Sequence, residues 1–198
     1  MGAEIGILIL AAGASSRLGA AKQLLKYEGK TLLRRAALTA LAANTHLVAV
    51  VLGSNAEVLR KEIEDLPLEI VVAENWKEGM SRSIRAGLGQ MIAAATDLSA
   101  VVVLLCDQPL VTSQTIKDLI EEYQKTKKPI VAAEYNQTLG VPALFAAEKF
   151  DHLLALEGDA GARGLIKKQA ASGLAKIAVP EAAVDVDTFA DYERLLKS

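Results

Sequence analysis

The chain has 198 residues, 52% of them hydrophobic, and a formal net charge of −2. That suffices for one compact domain, residues 1–198, and is short for two; dispersed basic residues exclude an extended nucleic-acid footprint. Cys106 is the only cysteine and His46 and His152 are the only histidines, so a disulfide framework or a zinc cluster within one chain is excluded.

The first element is the continuous apolar run from Ile5 to Leu10. It is too short to cross a bilayer and lacks the alternation of a half-exposed strand, so it is expected as a strand covered on both faces. It has no basic region before it and runs straight into a loop, unlike a signal peptide, so the chain is expected to be cytoplasmic, with no membrane partner. The loop, Ala11-Ala12-Gly13-Ala14, is built of small residues that leave backbone N–H groups open to an anion, and Gly13 permits a positive φ. Arg17 and Lys22 add positive charge. Neither G-x-x-x-x-G-K-[ST] nor G-x-G-x-x-G is present, and by pattern alone the segment also reads as ordinary turn glycines beside a solvated basic loop.

Farther along, Thr31 is a candidate cap for a helix from Leu32 to Ala43. Leu47–Leu52 is a second buried strand, 55–65 a helix, Leu68–Val72 a third strand, Ser81–Ala94 a helix and Ala100–Leu105 a central strand. Ser113–Lys127 is amphipathic, with lysines at its negative end. Pro129–Ala133 and Val141–Phe145 flank a polar turn and suit an antiparallel portion of the sheet. Helices at Ala147–Leu156 and Ala162–Ala171, a strand at Ala175–Val179 and a helix at Phe189–Leu196 complete the chain. Successive βα units imply an α/β fold: a three-layer α/β/α arrangement around a mainly parallel sheet, with ligands beyond the carboxyl ends of the strands.

Leu10-Ala11-Ala12-Gly13-x-Ser15-x-Arg17-Leu18-Gly19-x-x-Lys22 resembles the signature of nucleotidyltransferases that activate pterin cofactors and sugars. The resemblance continues through Asn75-Trp76-x-Glu78-Gly79-Met80-x-x-Ser83, Asp107-Gln108-Pro109-Leu110-Val111, Gly158-Asp159-x-Gly161-Ala162-Arg163 and Asp185-Val186-Asp187-Thr188. These five motifs, in the family's order, are similar to those of molybdenum cofactor cytidylyltransferases. The resemblance implies the nucleotide-diphospho-sugar transferase (GT-A-like, Rossmann-type) fold. The implied reaction is attack by the phosphate of molybdopterin, or of the molybdenum cofactor, on the α-phosphorus of CTP with release of pyrophosphate. A recipient molybdoenzyme or its chaperone would then be a protein partner.

The resemblance also assigns roles. Lys22 and Arg17 would hold the triphosphate with the backbone around Gly13. Leu10, Ala11, Ala12 and Ser83 would meet the base, with Gly79 allowing close approach. Asp107, placed at the end of a strand and followed by Pro109, suits Mg2+, a hard ion that completes its shell with water and phosphates. Asp187 is the expected second ligand, and Asp185, two residues away, points the same way in extended backbone. By pattern alone Thr188 and Asp191 read instead as a helix capping box, and Ser83 as a helix-surface serine. Gly140, Pro142, Asp159, Gly161 and Arg163 are the expected acceptor residues.

There are departures. Val141 stands where the family usually has histidine, Leu18 replaces the usual methionine, and Cys106 occupies a site often held by glycine or alanine, where it reads as a small buried residue rather than a nucleophile. Three alternatives therefore stay open: another phosphorylated acceptor such as a sugar phosphate, GTP in place of CTP, and a non-catalytic carrier of pterin or nucleotide.

Overall fold

A computed structural model describes residues 4–15, 18–170 and 173–197. A seven-stranded sheet runs through them. In chain order the strands are β1 (Glu4–Ala11), β4 (Leu47–Leu52), β5 (Glu69–Val72), β6 (Leu98–Leu105), β7 (Ile130–Tyr135), β8 (Thr138–Ala146) and β9 (Ala175–Ala178); the two-residue strands β2 (Lys26–Tyr27) and β3 (Lys30–Thr31) form a separate hairpin. The spatial order is β5-β4-β1-β6-β8-β7-β9. Strands β5, β4, β1 and β6 are mutually parallel, β8 is antiparallel to β6 and β7, and β9 is parallel to β7. The expected mixed portion is therefore one reversed strand, and β7 turns into β8 through Asn136 and Gln137, both at positive φ.

The helices are α1 (Leu32–Leu41), α2 (Ala56–Arg60), α3 (Met80–Ala94), α4 (Ser113–Thr126), α5 (Phe150–Leu154), α6 (Ala162–Ala170) and α7 (Phe189–Leu195). The helix expected over 55–65 contracts to α2 followed by turns, and that expected over Ala147–Leu156 begins as a 3₁₀ turn before α5. None is long and apolar enough to cross a membrane among the described residues.

Strand β1 shows why an unbroken apolar run was needed. Ile5, Ile7 and Ile9 enter one core with residues of α1, α2 and α4, while Leu8 and Leu10 enter another with residues of α3, α5 and α6. Successive strand residues face opposite sides, so a central strand covered twice has no polar face to offer. In register, Leu10 pairs with Leu105 and Ala11 with Leu52. The loop after β1 and Asp107 after β6 thus emerge side by side at one carboxyl edge, as open parallel sheets direct.

A third, smaller core joins the ends of the chain. Leu32, Val186 and Leu195 are buried together, with Leu25, Tyr27, Leu110 and Tyr192 packed around them. The hairpin feeding this core reverses through Glu28 and Gly29, both at positive φ, as a two-residue hairpin turn requires. Tyr192 donates from its hydroxyl to the Lys26 carbonyl at 2.7 Å. Helix α7 is thereby held against the segment that follows the glycine loop. Leu195→Ala should cost about 2–5 kcal/mol, read as a lower urea midpoint, and because this core positions the Asp187 segment, turnover should fall at temperatures where the variant is still folded.

Candidate active site

Two neighbouring cavities open at the carboxyl edge, of about 350 and 380 Å³, a size range common to small-molecule sites. Leu10, Met80 and Leu105 line both and form the ridge between them. The first holds Leu10, Ala11, Ala12, Gly13, Lys22, Gly79, Ser83 and Asp107, so every described residue expected to bind nucleotide meets there. Arg17 lies outside the described residues.

Two polar centres organise this cavity. At one end the Lys22 ammonium donates to the carboxylate of Asp107 and, at 2.7 Å, to Oδ1 of Asp187, residues 85 and 165 positions away in the chain. Each acid comes from a different element. Asp107 follows β6, and the N–H of Val186 donates to the Asp107 carbonyl at 3.0 Å, tying the Asp185–Asp187 segment directly to it. Burial alone would lower the lysine, but the charge of Asp107, with hydrogen bonds to both acids, holds its ammonium well above the ordinary lysine range. Asp107 Oδ1 is buried with no hydrogen-bond partner among the described residues. A buried carboxylate oxygen left unpaired is costly, and it is a hard donor of the kind a magnesium-like ion takes.

The second centre is Gln23, a residue to which neither pattern nor resemblance assigned a role. Only 1% exposed, it donates from Nε2 to the carbonyls of Ala11 and Gly13 at 2.9 and 2.8 Å and accepts from the Ser15 hydroxyl at 3.2 Å. The Ser15 Oγ in turn accepts from the Lys22 N–H at 3.0 Å. The loop is therefore latched from within, with its carbonyls occupied. Gly13 does not use a left-handed backbone; that conformation falls on Ser15, at φ 54. At Gly13 a side chain would point into open space, so what glycine contributes there is access to the cavity.

Gly79, which lines the cavity, also meets another part of the chain. Its φ is 114, and a Cβ there would sit 2.2 Å from the Gly158 carbonyl oxygen. The close approach is to the 158–159 turn, which Ser81 reinforces by donating from Oγ to the same carbonyl at 2.8 Å. Ser83 is buried at 4% exposure and lines the cavity, so the helix-surface reading fails. Thr188 and Asp191 do form the capping box of α7, which occupies Asp191 and leaves the Asp187 carboxylate to Lys22. The two readings of that acidic stretch therefore hold together.

The second cavity gathers Gly140, Gly161 and Arg163 with Gln108, Tyr135, Thr138 and Asp185. Two expected acceptor residues fall elsewhere. Asp159 lines the first cavity, and Pro142 is buried in β8 and lines neither. Arg163 donates to the Thr138 hydroxyl at 2.9 Å. Gln108 donates from Nε2 to the carbonyls of Val141 and Ala182 at 3.1 and 2.8 Å, bracing the cavity beside Val141, the position that departs from the family's usual histidine. Burial, then the charges of Asp187 and Asp107, push the Asp185 carboxyl above its ordinary value. Cys106 is 4% exposed and its thiol is pushed far up by burial, which excludes a thiolate nucleophile at neutral pH.

Residues 7–173 match the family described as MobA-like NTP transferase domain. Nicotine blue oxidoreductase of Paenarthrobacter nicotinovorans is 33% identical over 199 residues, covering 96% of this chain and 95% of that protein. The crystal structure of Rv0371c from Mycobacterium tuberculosis H37Rv superposes with a TM-score of 0.84 at 30% identity, covering 100% of both chains. A structure of that protein in complex with manganese gives 0.81 at 27% identity, again over 100% of both chains.

Gln23→Ala should lower stability by about 1–3 kcal/mol by leaving two loop carbonyls without their donor. Gln23→Glu should be worse, since a carboxylate would face both carbonyls. Thermal unfolding of the three proteins checks the ranking.

Proposed function

The chain belongs to the MobA-like NTP transferase family, and from that premise we propose that it moves CMP from CTP to the phosphate of molybdopterin or its molybdenum-loaded form in the cytoplasm, giving a cytosine dinucleotide and pyrophosphate. The observation that carries the reading is the Lys22 ammonium held between Asp107 and Asp187 at the end of a cavity floored by the small-residue loop. Nucleotide would lie in the first cavity and acceptor in the second, with the reacting atoms meeting near the shared ridge of Leu10, Met80 and Leu105.

The donor set suits Mg2+. Among the described residues, Asp107 offers a buried oxygen without a partner, Asp187 offers a second carboxylate, and no cluster of three His, Cys, Asp or Glu surrounds them. Two carboxylates with water and phosphates completing the shell is magnesium's habit; the manganese complex of Rv0371c supports use of a divalent ion. Such an ion, when bound, neutralises charge on the triphosphate and the leaving pyrophosphate.

The rest falls to the chain's own groups. A phosphate monoester has a second pKa of about 6, so the acceptor is already largely dianionic near neutrality and needs no strong base. Its oxygen forms the new bond to the α-phosphorus while the bond from that phosphorus to the bridging oxygen of pyrophosphate breaks. What must be overcome is repulsion between polyanions. Lys22 and Arg17 would supply fixed positive charge, the N–H groups around Gly13 would bind phosphate oxygens, and Arg163 would anchor the acceptor's anionic end. Leu10, Ala11, Ala12 and Ser83 would frame the pyrimidine, and an unpaired polar group in a buried base pocket is the cost that rejects other bases.

The name of the Paenarthrobacter relative motivates a second reading, an oxidoreductase acting on nicotine blue. The carboxylate pair and its lysine favour the transferase. Mass spectrometry of products from CTP, Mg2+ and molybdopterin separates these readings: the cytosine dinucleotide and pyrophosphate support transfer, whereas redox conversion of nicotine blue with no CTP consumed supports the second reading. A sugar phosphate in place of molybdopterin tests the wider acceptor class, and tight pterin binding without pyrophosphate release would mark a carrier.

Three outcomes follow from the transferase reading. Lys22→Ala should retain its fold by circular dichroism and lose about 100-fold or more in turnover. Chelation should abolish pyrophosphate release and added Mg2+ or Mn2+ restore it. The kcat/KM for CTP should exceed that for GTP by about tenfold or more; comparable values would refute the preference.

A further inference from the structure

We infer that Lys22 is the resident cation of the Asp107–Asp187 pair, so that a divalent ion gains these carboxylates only by displacing the lysine ammonium, which a bound triphosphate draws away. The inference rests on the proposed assignment of the two acids as metal ligands, and it adds an order of events and a second role for Lys22.

Geometry makes the two cations exclusive. The ammonium contacts Oδ2 of Asp107 and Oδ1 of Asp187, the two carboxylates that would hold an ion. The side chains of Lys22 and Asp107 are each 14% exposed, and Asp107 Oδ1 is itself buried. The lysine therefore covers the approach to the carboxylate, and an ion held by both acids would compete with its Nζ for them. A double and a single positive charge cannot share that site without strong mutual repulsion.

The segment is built so that only the side chain need move. Lys22 begins a 3₁₀ turn, Lys22–Leu24, whose backbone is fixed by the Lys22 N–H to Ser15 Oγ at 3.0 Å, the Leu25 N–H to the Lys22 carbonyl at 3.0 Å and the buried amide of Gln23 next in sequence. Lysine is a compact charge on a flexible four-carbon stem. It lines the same cavity as Gly13, so a triphosphate on the loop lies within reach of a rotamer change. By linkage, an anion that gives the ammonium a new partner raises metal affinity, and metal that frees the ammonium raises nucleotide affinity. The ion should enter with the nucleotide and leave with pyrophosphate, and the acids should stay neutralised between turnovers.

Manganese binding followed by electron paramagnetic resonance, with no nucleotide present, tests this. Lys22→Met and Lys22→Gln should each bind Mn2+ about tenfold or more tightly than the unaltered protein. Lys77 lines the same cavity with its ammonium over the Trp76 ring, 5.7 Å from the centroid; Lys77→Met removes an equal charge without uncovering the acids and should change affinity less than about threefold. Adding Asp107→Asn to Lys22→Met should abolish the gain. Lysine variants that bind no more tightly than the unaltered protein, while Asp107→Asn still weakens them, would overturn displacement and leave the metal assignment standing; indifference to Asp107→Asn would remove the assignment itself. Nuclear magnetic resonance of the lysine ammonium in the unaltered protein gives an answer without any variant. Its coupling to the Asp107 carboxylate should vanish as Mg2+ and nucleotide saturate the site, and coupling that persists would overturn the inference.

Discussion

The structure turns on one ammonium shared by two carboxylates that are remote in sequence. Lys22 follows the first strand, Asp107 the central one, and Asp187 the last irregular stretch before α7. Bringing two acids together is unfavourable by itself, and a half-buried lysine between them offsets that repulsion. The contact needs three supports: the parallel register that sets the loop beside Asp107, the Val186 N–H bond to the Asp107 carbonyl, and the small third core that pins α7 to the hairpin. Fold and site are therefore one construction. The sheet places one acid and the loop, and the end of the chain closes back to supply the other.

Much of this was legible from residue pattern because the physics is local. Ile5–Leu10 and Leu47–Leu52 announce doubly covered strands by having no polar face, and Thr31, Thr188 and Asp191 cap their helices as their spacing implies. The meeting of Asp107 with Asp187 was legible only through the family resemblance, since no local rule relates residues 80 positions apart. What escaped notice had specific causes. Strands β2 and β3 are two residues each, too short for any periodicity to show. Gln23 looks like a surface residue beside a lysine; its burial depends on a loop path that composition does not specify. A polar side chain flanked by a small-residue loop on one side and Leu24-Leu25 on the other is the signal that could have marked it.

Glycine was the residue type most easily misjudged. Its presence at Gly13 suggested a left-handed turn that the chain makes at Ser15 instead, and at Gly79, which lines the first cavity, it also serves a contact between two protein segments that residue pattern did not reveal. Sequence marks where backbone freedom exists, while tertiary packing decides what it is used for. Val141 is a comparable case. Its side chain cannot act as the expected imidazole would, yet its carbonyl is the point on which both Gln108 and Tyr135 converge, so the position keeps a structural role in the second cavity through its backbone.

The abutment of Gly79 on the Gly158 carbonyl ties the start of α3 to a turn whose Asp159 lines the same first cavity. Gly79 opens α3 beside the first cavity, while the turn at 158–159 leads into Gly161 and Arg163 beside the second. The lining of the first cavity thus runs on, through this turn, into that of the second. A substitution that shifts this contact is therefore transmitted along the chain from one cavity wall to the other.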